Sequence, residues 1–411
     1  MPSGVLFVHN NFPGQFRSLA EALTARGVAC AAIGGPQAPG LAGIDIGRYG
    51  ALPAPAPGAF PLAARVELDL RRGRAAADSA RDLKTRGFDP QVIVGHTTWG
   101  ETLFLAEVFP KARQVLYSEF YFSGPGLELG SYTEFHPPND DSPFLLRSQN
   151  AGMAMALAQA DIIVCPTAFQ AAVLPTVFRA QARVVHEGVD VEAIHPAPPE
   201  PFALPNSRWI QPGTPVITHI NNHMEPLRGL HILARALPKL LAEVPDAEVV
   251  IVGGPPGRPY GGPAPGGGSW RDLCFQGVDF DPARVHFLGK AAHPWMLSAL
   301  RISTAHVYYT YPYVLSWSLL EAMASGCYVI GSDTAPVRDV IQDGVNGRLL
   351  PFGDVEALTD ALIAACRNPD ASGPLRAAAR RTAVTRFSRT AGLAGWLSLL
   401  EEVGMAPSTP R

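Results

Sequence analysis

The chain has 411 residues, with 33 Lys plus Arg against 36 Asp plus Glu and a formal net charge of −3. That balance gives no electrostatic case for nucleic acid as a partner, and the length allows two domains with separate cores. The five cysteines (30, 165, 274, 327 and 366) are scattered and form no CxxC pair. They read as small buried hydrophobes in a reducing compartment. No apolar run approaches the roughly 18 residues needed to span a bilayer. The opening MPSGVLFVHNN lacks a basic segment and reads directly as a strand, so no signal peptide and a cytoplasmic location are expected.

In chain order, GVLFVHN is a strand and GQFRSLAEALTARG a helix. VACAAIGG, QVIVGH, ARQVLYSEF and DIIVCPT are further strands, with a helix in PFLLRSQNAGMAMALAQA before the last. Apolar strands without polar alternation, separated by helices, indicate a parallel sheet covered on both faces. The run HPAPPEPFALPNSR, 195–208, holds five prolines and no periodicity, which reads as an interdomain linker. The alternation restarts with TPVITHI, a helix from 228 to about 243, then AEVVIVGG, RVHFLGK, STAHVYYT and CYVIGSD. The expectation is an α/β protein of two doubly wound, Rossmann-like domains, 1–200 and 205–387. The last amphipathic pattern, RTAGLAGWLSLLEEV, could complete either domain; a helix at about 388–404 would then pack back on the first. The Pro/Gly run GGPPGRPYGGPAPGGGSW, 253–270, follows a strand's carboxyl end and reads as a mobile lid.

The most informative stretch is TYPYVLSWSLLEAMASG, 310–326, where a single acid, Glu321, sits in an apolar helix pattern. Two readings stand level. Ser318 and Glu321 fit the S-x-x-E capping box, in which the acid needs no ligand. Alternatively, the helix points free N–H groups at an anion while Glu321 accepts hydrogen bonds from a diol, a combination that describes the diphosphate and ribose of a nucleotide. In INNHMEPLRGLHILARAL, Arg228 and Gly229 open a helix, where an Arg could reach a phosphate or stand solvated beside Glu225. Gly14 lies in the first βα turn and is a weak signal for backbone approach to a phosphate. His96 ends a strand; a lone His is more often structural than catalytic. His186 in VVHEGVD reads as part of a turn with Gly188. NDD at 139–141 and DFD at 279–281 resemble metal-binding DxD, but no supporting ligand spacing accompanies them. No GxSxG elbow or P-loop occurs.

Taken together, the strand order, the HEGVD turn, the EP-x-R-G helix start, LEAMASG and SDTAPVRDVIQDGVNGRLL resemble retaining glycosyltransferases of family 4, with the GT-B fold. HNNFPGQFRSLA, GHTTWGETLF, MEPLRGLHI and TYPYVLSWSLLEAM resemble a bacterial subgroup found among surface-glycan genes. The resemblance implies two sheets facing across a crevice. It also implies transfer of a hexose-like sugar from a nucleoside diphosphate sugar to an acceptor hydroxyl, with retention and without a metal or other cofactor.

By the same resemblance, Glu321 binds the ribose, Arg228 neutralises the donor diphosphate, Gly14 lies over the same phosphates, and His96 stands near the sugar at the reacting centre. Arg228 and His96 are thus the catalytic candidates. Leu315, Ser316 and Trp317 fall in the loop that touches sugar and phosphate, and Gly254, ending AEVVIVGG, joins the donor-binding set. Two positions depart from the family pattern. Tyr313 stands where the first acid of E-x7-E belongs, and Asn222 where the first basic residue belongs, with His223 beside it as a partial substitute. These departures support an alternative, a non-catalytic GT-B protein that binds a nucleotide sugar or partners an active transferase. The acceptor would be a glycan, a lipid-linked species or a small molecule. RRGRAAADSARDLKTRG, 71–87, is the candidate patch for weak peripheral membrane contact, with a solvated helix as its plainer reading.

Overall fold

A computed structural model describes residues 4–53, 58, 60–123, 134, 135, 137, 139–254 and 262–405. The chain divides into two compact units. Met1–Gly124, Asn139–Gly188 and Arg389–Arg411 form the first; Pro125–Pro138 and Val189–Ser388 form the second.

The first unit holds seven strands: β1 (Gly4–Val8), β2 (Ala29–Gly34), β3 (Asp45–Arg48), β4 (Val92–His96), β5 (Arg113–Tyr117), β6 (Ile162–Cys165) and β7 (Ala182–Val184). They pair in parallel in the order β3-β2-β1-β4-β5-β6-β7. Successive side chains of β1 point to opposite faces, and both faces are covered. Val5 and Phe7 pack with Leu19 and Leu23 of helix Arg17–Ala25 and with Trp396, Leu399 and Leu400 of helix Arg389–Glu402. Leu6 and Val8 pack with Ala76, Ala77, Ala80 and Leu83 of helix Pro61–Thr85. This double coverage is why β1 reads as continuously apolar. It also corrects the solvated-helix reading of 71–87. The alanine face of that helix is buried against the sheet, because small side chains let the helix approach closely.

The second unit opens with residues that the proline count marks as a tether. Phe202, Leu204 and Ile210 are buried with Val189, Val191 and Ile194. A short antiparallel pair, β8 (Phe202–Ala203) and β9 (Trp209–Ile210), frames them, and Trp295 stacks on Phe202 at 5.7 Å. The Arg380 guanidinium donates to the carbonyls of Val191, Ile194 and Ala324 at 2.6–2.9 Å. The run 195–208 is therefore part of this unit's packing, and the division falls earlier, after Gly188.

Six parallel strands follow: β10 (Val216–His223), β11 (Glu248–Gly254), β12 (Val285–Phe287), β13 (Ala305–Tyr308), β14 (Val329–Ser332) and β15 (Arg348–Leu350). Their order is β12-β11-β10-β13-β14-β15. Part of the 253–270 run lies outside the described residues. Beyond it, Ser269 caps a helix over Trp270–Phe275 by accepting from the Asp272 amide. Among the described residues no helix is long and apolar enough to cross a membrane, and all five cysteines are free thiols.

In each sheet the chain builds one side and then crosses to the other. Open α/β sheets bind ligands at that switch point, outside the carboxyl ends of the strands. It lies between β1 and β4 in the first unit and between β10 and β13 in the second.

Candidate active site

In the second unit, β10 ends at Asn222 and His223, where its register against β11 slips. Asn222 Nδ2 lies 3.2 Å from His223 Nε2. Burial, and then the nearby Arg228 charge, hold the His223 imidazole below its usual pKa. The α-helix begins two residues later than expected, at Leu230; Arg228 closes a 3₁₀ turn over Pro226–Arg228. Gly229 makes the junction with φ of 73°, a left-handed conformation suited to glycine. A Cβ there would fall 2.3 Å from Tyr309 Cβ.

Arg228 is only 4% exposed, which removes the solvated-arginine reading. Its Nη1 donates to Thr310 Oγ1 at 2.8 Å and to the Val314 carbonyl at 2.9 Å, and its guanidinium sits 5.8 Å from the Tyr313 ring centroid. Thr310 is held in turn: its amide donates to Ser332 Oγ, and its carbonyl accepts from the Ser332 and Thr334 hydroxyls. The loop after β13 is thus tied to the arginine at Thr310 and Val314, and at Thr310 to the end of β14 as well.

The same loop enters helix Trp317–Ala324 through Ser316, whose hydroxyl accepts from the Ser318 amide at 3.3 Å and whose own amide donates to the Tyr308 phenol at 2.7 Å. The helix cap is therefore Ser316, two residues before the serine of the S-x-x-E reading. Glu321 lies too far into the helix to close a capping box. Its side chain is 13% exposed, and Oε1 pairs with His293 Nε2 at 2.9 Å. Burial raises its pKa and the histidine opposes that. Leu315 is buried, and Trp317 is 44% exposed. One strand over, beyond β10, Gly253 and Gly254 end β11 at a cavity of about 480 Å³, lined also by His223, Met224, Trp270, Arg271 and Phe287. A larger cavity of about 700 Å³ lies elsewhere, between residues 338–346 and helix Gly373–Phe387. Its polar groups are paired with one another, with Asn346 donating to Val340 and Thr382 and Arg386 donating to Asp339.

In the first unit the switch point is filled by two imidazoles. His9 follows β1 and His96 ends β4; their rings meet edge-on at 5.1 Å, and Trp99 stacks on His96 at 4.3 Å. Gly14, with φ of +47°, lies against His9, where a Cβ would come within 2.4 Å of Nε2. The Asn11 amide donates to His9 Nδ1 at 2.9 Å, so the ring proton sits on Nε2 and is given to Gln15 Oε1 at 2.7 Å. The Gln15 amide donates onward to Glu119 Oε1 at 3.2 Å. The Thr98 amide approaches His96 Nδ1 at 3.3 Å, placing that ring's proton on Nε2 as well. His96 Nε2 has no hydrogen-bond partner among the described residues and lies 3.8 Å from Glu119 Oε2. Burial lowers His9 to about 4 and His96 well below its usual range, so both rings are neutral at pH 7. Beneath them, Arg65 holds buried Asp69 through both carboxylate oxygens, and Tyr49 donates to buried Glu101 at 2.5 Å.

Of the expected residues, Arg228, Tyr313, Leu315, Ser316 and Trp317 lie in or against one loop. Asn222, His223 and Gly254 share the adjoining strand ends. Glu321 stands within the following helix, and Gly14 meets His96 only through His9. His186 accepts from the Gly188 amide at 2.9 Å, as a turn residue does. His9, Gln15, Trp99, Glu119 and His293 escaped the sequence reading. The signal available for His9 was the one that singled out His96, a histidine at the carboxyl end of an apolar strand.

Two doubly wound domains in tandem, each with polar side chains gathered at its switch point, define the GT-B architecture. Residues 26–194 match the model described as Glycosyl transferase family 4 group, and residues 214–368 match Glycosyl transferases group 1. The chain belongs to glycosyltransferase family 4. It is 34% identical over 151 residues to phosphatidyl-myo-inositol mannosyltransferase of Mycolicibacterium smegmatis, covering 36% of this chain and 35% of that one. It is 27% identical over 225 residues to D-inositol 3-phosphate glycosyltransferase of Kribbella flavida, covering 53% and 51%. The chain thus spans between a third and about half of these relatives' length. Among solved structures, sucrose-phosphate synthase of Thermosynechococcus elongatus superposes with a TM-score of 0.72 at 16% identity, covering 98% of this chain and 99% of that one. Anabaena HepE, in complex with UDP and glucose, superposes at 0.66 and 14%, covering 97% and 100%. These two likenesses establish the fold.

Proposed function

We propose that the chain transfers a hexose-like sugar from a nucleoside diphosphate sugar to an acceptor hydroxyl, with retention and without a metal. The observation that carries this is Arg228, buried and fixed by Thr310 and Val314 at the second unit's switch point, beside a helix start that offers backbone N–H groups. A prepositioned cation and oriented amides suit a developing diphosphate charge, because they need no reorganisation as that charge appears. Glu321 then takes the ribose hydroxyls, with His293 turning its carboxylate. The cavity at Gly254 and Trp270 takes the base. Tyr313 presents a ring where family members carry an acid, and it packs over the Arg228 guanidinium.

In this reading the departing diphosphate accepts the acceptor's proton on the face it leaves, so retention needs no protein nucleophile. Arg228 and the loop amides stabilise the leaving group, and the acceptor sits on the first unit near His96. The relatives' names make an inositol-bearing lipid or a small inositol phosphate the natural acceptor to try.

A thermal-shift comparison of UDP, GDP, ADP and dTDP, on wild type and Glu321→Ala, tests the donor site. A ligand at about 100 times its Kd stabilises the native state by about 2.7 kcal/mol. One diphosphate should shift wild type and fail to shift the variant. No shift with any of the four would remove donor chemistry from this chain.

A further inference from the structure

We infer that His293 is a specificity-determining residue of the donor site. By holding one oxygen of Glu321, it leaves that carboxylate a single oxygen for the nucleotide's ribose. One hydroxyl of the 2′,3′-diol is then recognised and the other is dispensable. The inference rests on the glycosyltransferase reading of Glu321 and deepens it, since it widens the donor class to deoxyribonucleoside diphosphates.

The Glu321 side chain is 13% exposed, and its Oε1 lies 2.9 Å from His293 Nε2. A carboxylate only accepts, so the imidazole proton at Nε2 is given to Oε1. Oε2 makes no hydrogen bond among the described residues and is open to solvent, and no arginine or lysine among them pairs with it. A carboxylate chelates a vicinal diol by giving one oxygen to each hydroxyl, and each such charge-assisted bond is worth about tenfold or more in affinity. With Oε1 engaged, the chelate is closed and one bond remains.

Neither partner is free to turn away. His293 opens helix His293–Arg301, and two residues on, the Trp295 indole donates to the Ala203 carbonyl at 3.1 Å and stacks on Phe202 at 5.7 Å. Glu321 lies in helix Trp317–Ala324, whose last carbonyl, that of Ala324, accepts from Arg380 at 2.9 Å. Both helices are thereby pinned to the body of the second unit, and the ring is set against Oε1 before a nucleotide arrives. The His293 ring is 54% exposed, so replacing it changes the carboxylate's partner without opening the core.

The test is calorimetric titration of the full chain with the ribose, 2′-deoxy and 3′-deoxy forms of uridine, guanosine, adenosine and 5-methyluridine diphosphates. It is run on wild type, His293→Ala, His293→Gln and Glu321→Ala. In wild type one deoxy form should bind within about threefold of the ribose form, while the other binds about tenfold more weakly or worse. His293→Ala frees Oε1 for the second hydroxyl, so both deoxy forms should then fall about tenfold below the ribose form. His293→Gln keeps an N–H for Oε1 and should retain the wild-type pattern. A histidine with a merely structural role would lower all three affinities together and leave their ratios unmoved. In wild type, equal losses for the two deoxy forms, or no loss for either, would overturn the assignment. So would ratios that His293→Ala leaves unchanged or that His293→Gln also shifts. Failure of the donor reading has its own mark: no diphosphate would bind wild type at all, or Glu321→Ala would bind as wild type does, and this assignment would fall with it.

Discussion

Burial lifts the Glu321 carboxyl above its usual pKa, and the His293 imidazole pulls it back. A raised folded-state pKa means the acid form is the one folding favours. The stability tied to it is fully present below the unfolded value, about 4.3, and is lost as pH rises through the folded value. At pH 7 the ionised carboxylate is therefore a net cost to the fold, tolerated at a position suited to binding. Glu321→Gln should melt at or above wild type at pH 7, and the difference should close below about pH 4. Nucleoside diphosphate affinity should fall about tenfold in the same variant, because an amide oxygen is a weaker acceptor than a carboxylate. Calorimetry at the two pH values with a nucleotide titration measures both. A variant less stable than wild type at pH 7 would mean that the His293 pair outweighs the desolvation.

At the scale of elements, the junction between the Pro226–Arg228 turn and helix Leu230–Glu243 positions Arg228, the residue proposed to face the diphosphate. Gly229→Ala would force a left-handed conformation on a residue with a Cβ and press that atom into Tyr309. Strain of this kind costs about 1–3 kcal/mol. Because Arg228 is bonded to the Thr310 loop, the displacement should also weaken diphosphate binding; urea unfolding and the thermal shift measure the two effects. Wild-type stability in this variant would show that the backbone relaxes freely here.

This junction also shows what was legible in the sequence. The apolar runs located the central strands, since burial on both faces leaves them unbroken. Edge strands β3, β7 and β15 are short and partly exposed, so no such run announces them. The loop after β13 and the arginine were readable as neighbours in space because each follows the end of a central strand. Which serine caps the helix was not, because Ser316 and Ser318 fit equally by composition and only the Ser316 hydroxyl accepts the helix amide. The Gln15–Glu119 bond joins residues 104 apart, and nothing in local pattern encodes it.

For the whole molecule, five buried histidines set the response to acid. His9, His219 and His231 are lowered to about 4, His306 to about 3, and His96 well below its usual range, all chiefly by burial. A depressed folded-state pKa gives stability that is present above the unfolded value of about 6.5 and is lost as pH falls toward the folded value. Each such histidine contributes a slope of up to about 1.4 kcal/mol per pH unit between those limits. Carboxyls raised by burial act in the opposite sense, since they bind protons in the native state as pH falls. Asp69 and Glu101 do so in the first unit, against two histidines there; among the described residues whose direction of shift is resolved, Glu321 does so in the second, against four once the half-buried His223 is included. The second unit should therefore lose stability faster between pH 7 and pH 5. In hydrogen exchange under mild urea, amides of β10, β11 and β13 should lose more protection on acidification than those of β1, β4 and β5. Equal losses, or a greater loss in the first unit, would mean that its two histidines outweigh Asp69 and Glu101, and that His9 and His96 are the groups limiting tolerance to acid.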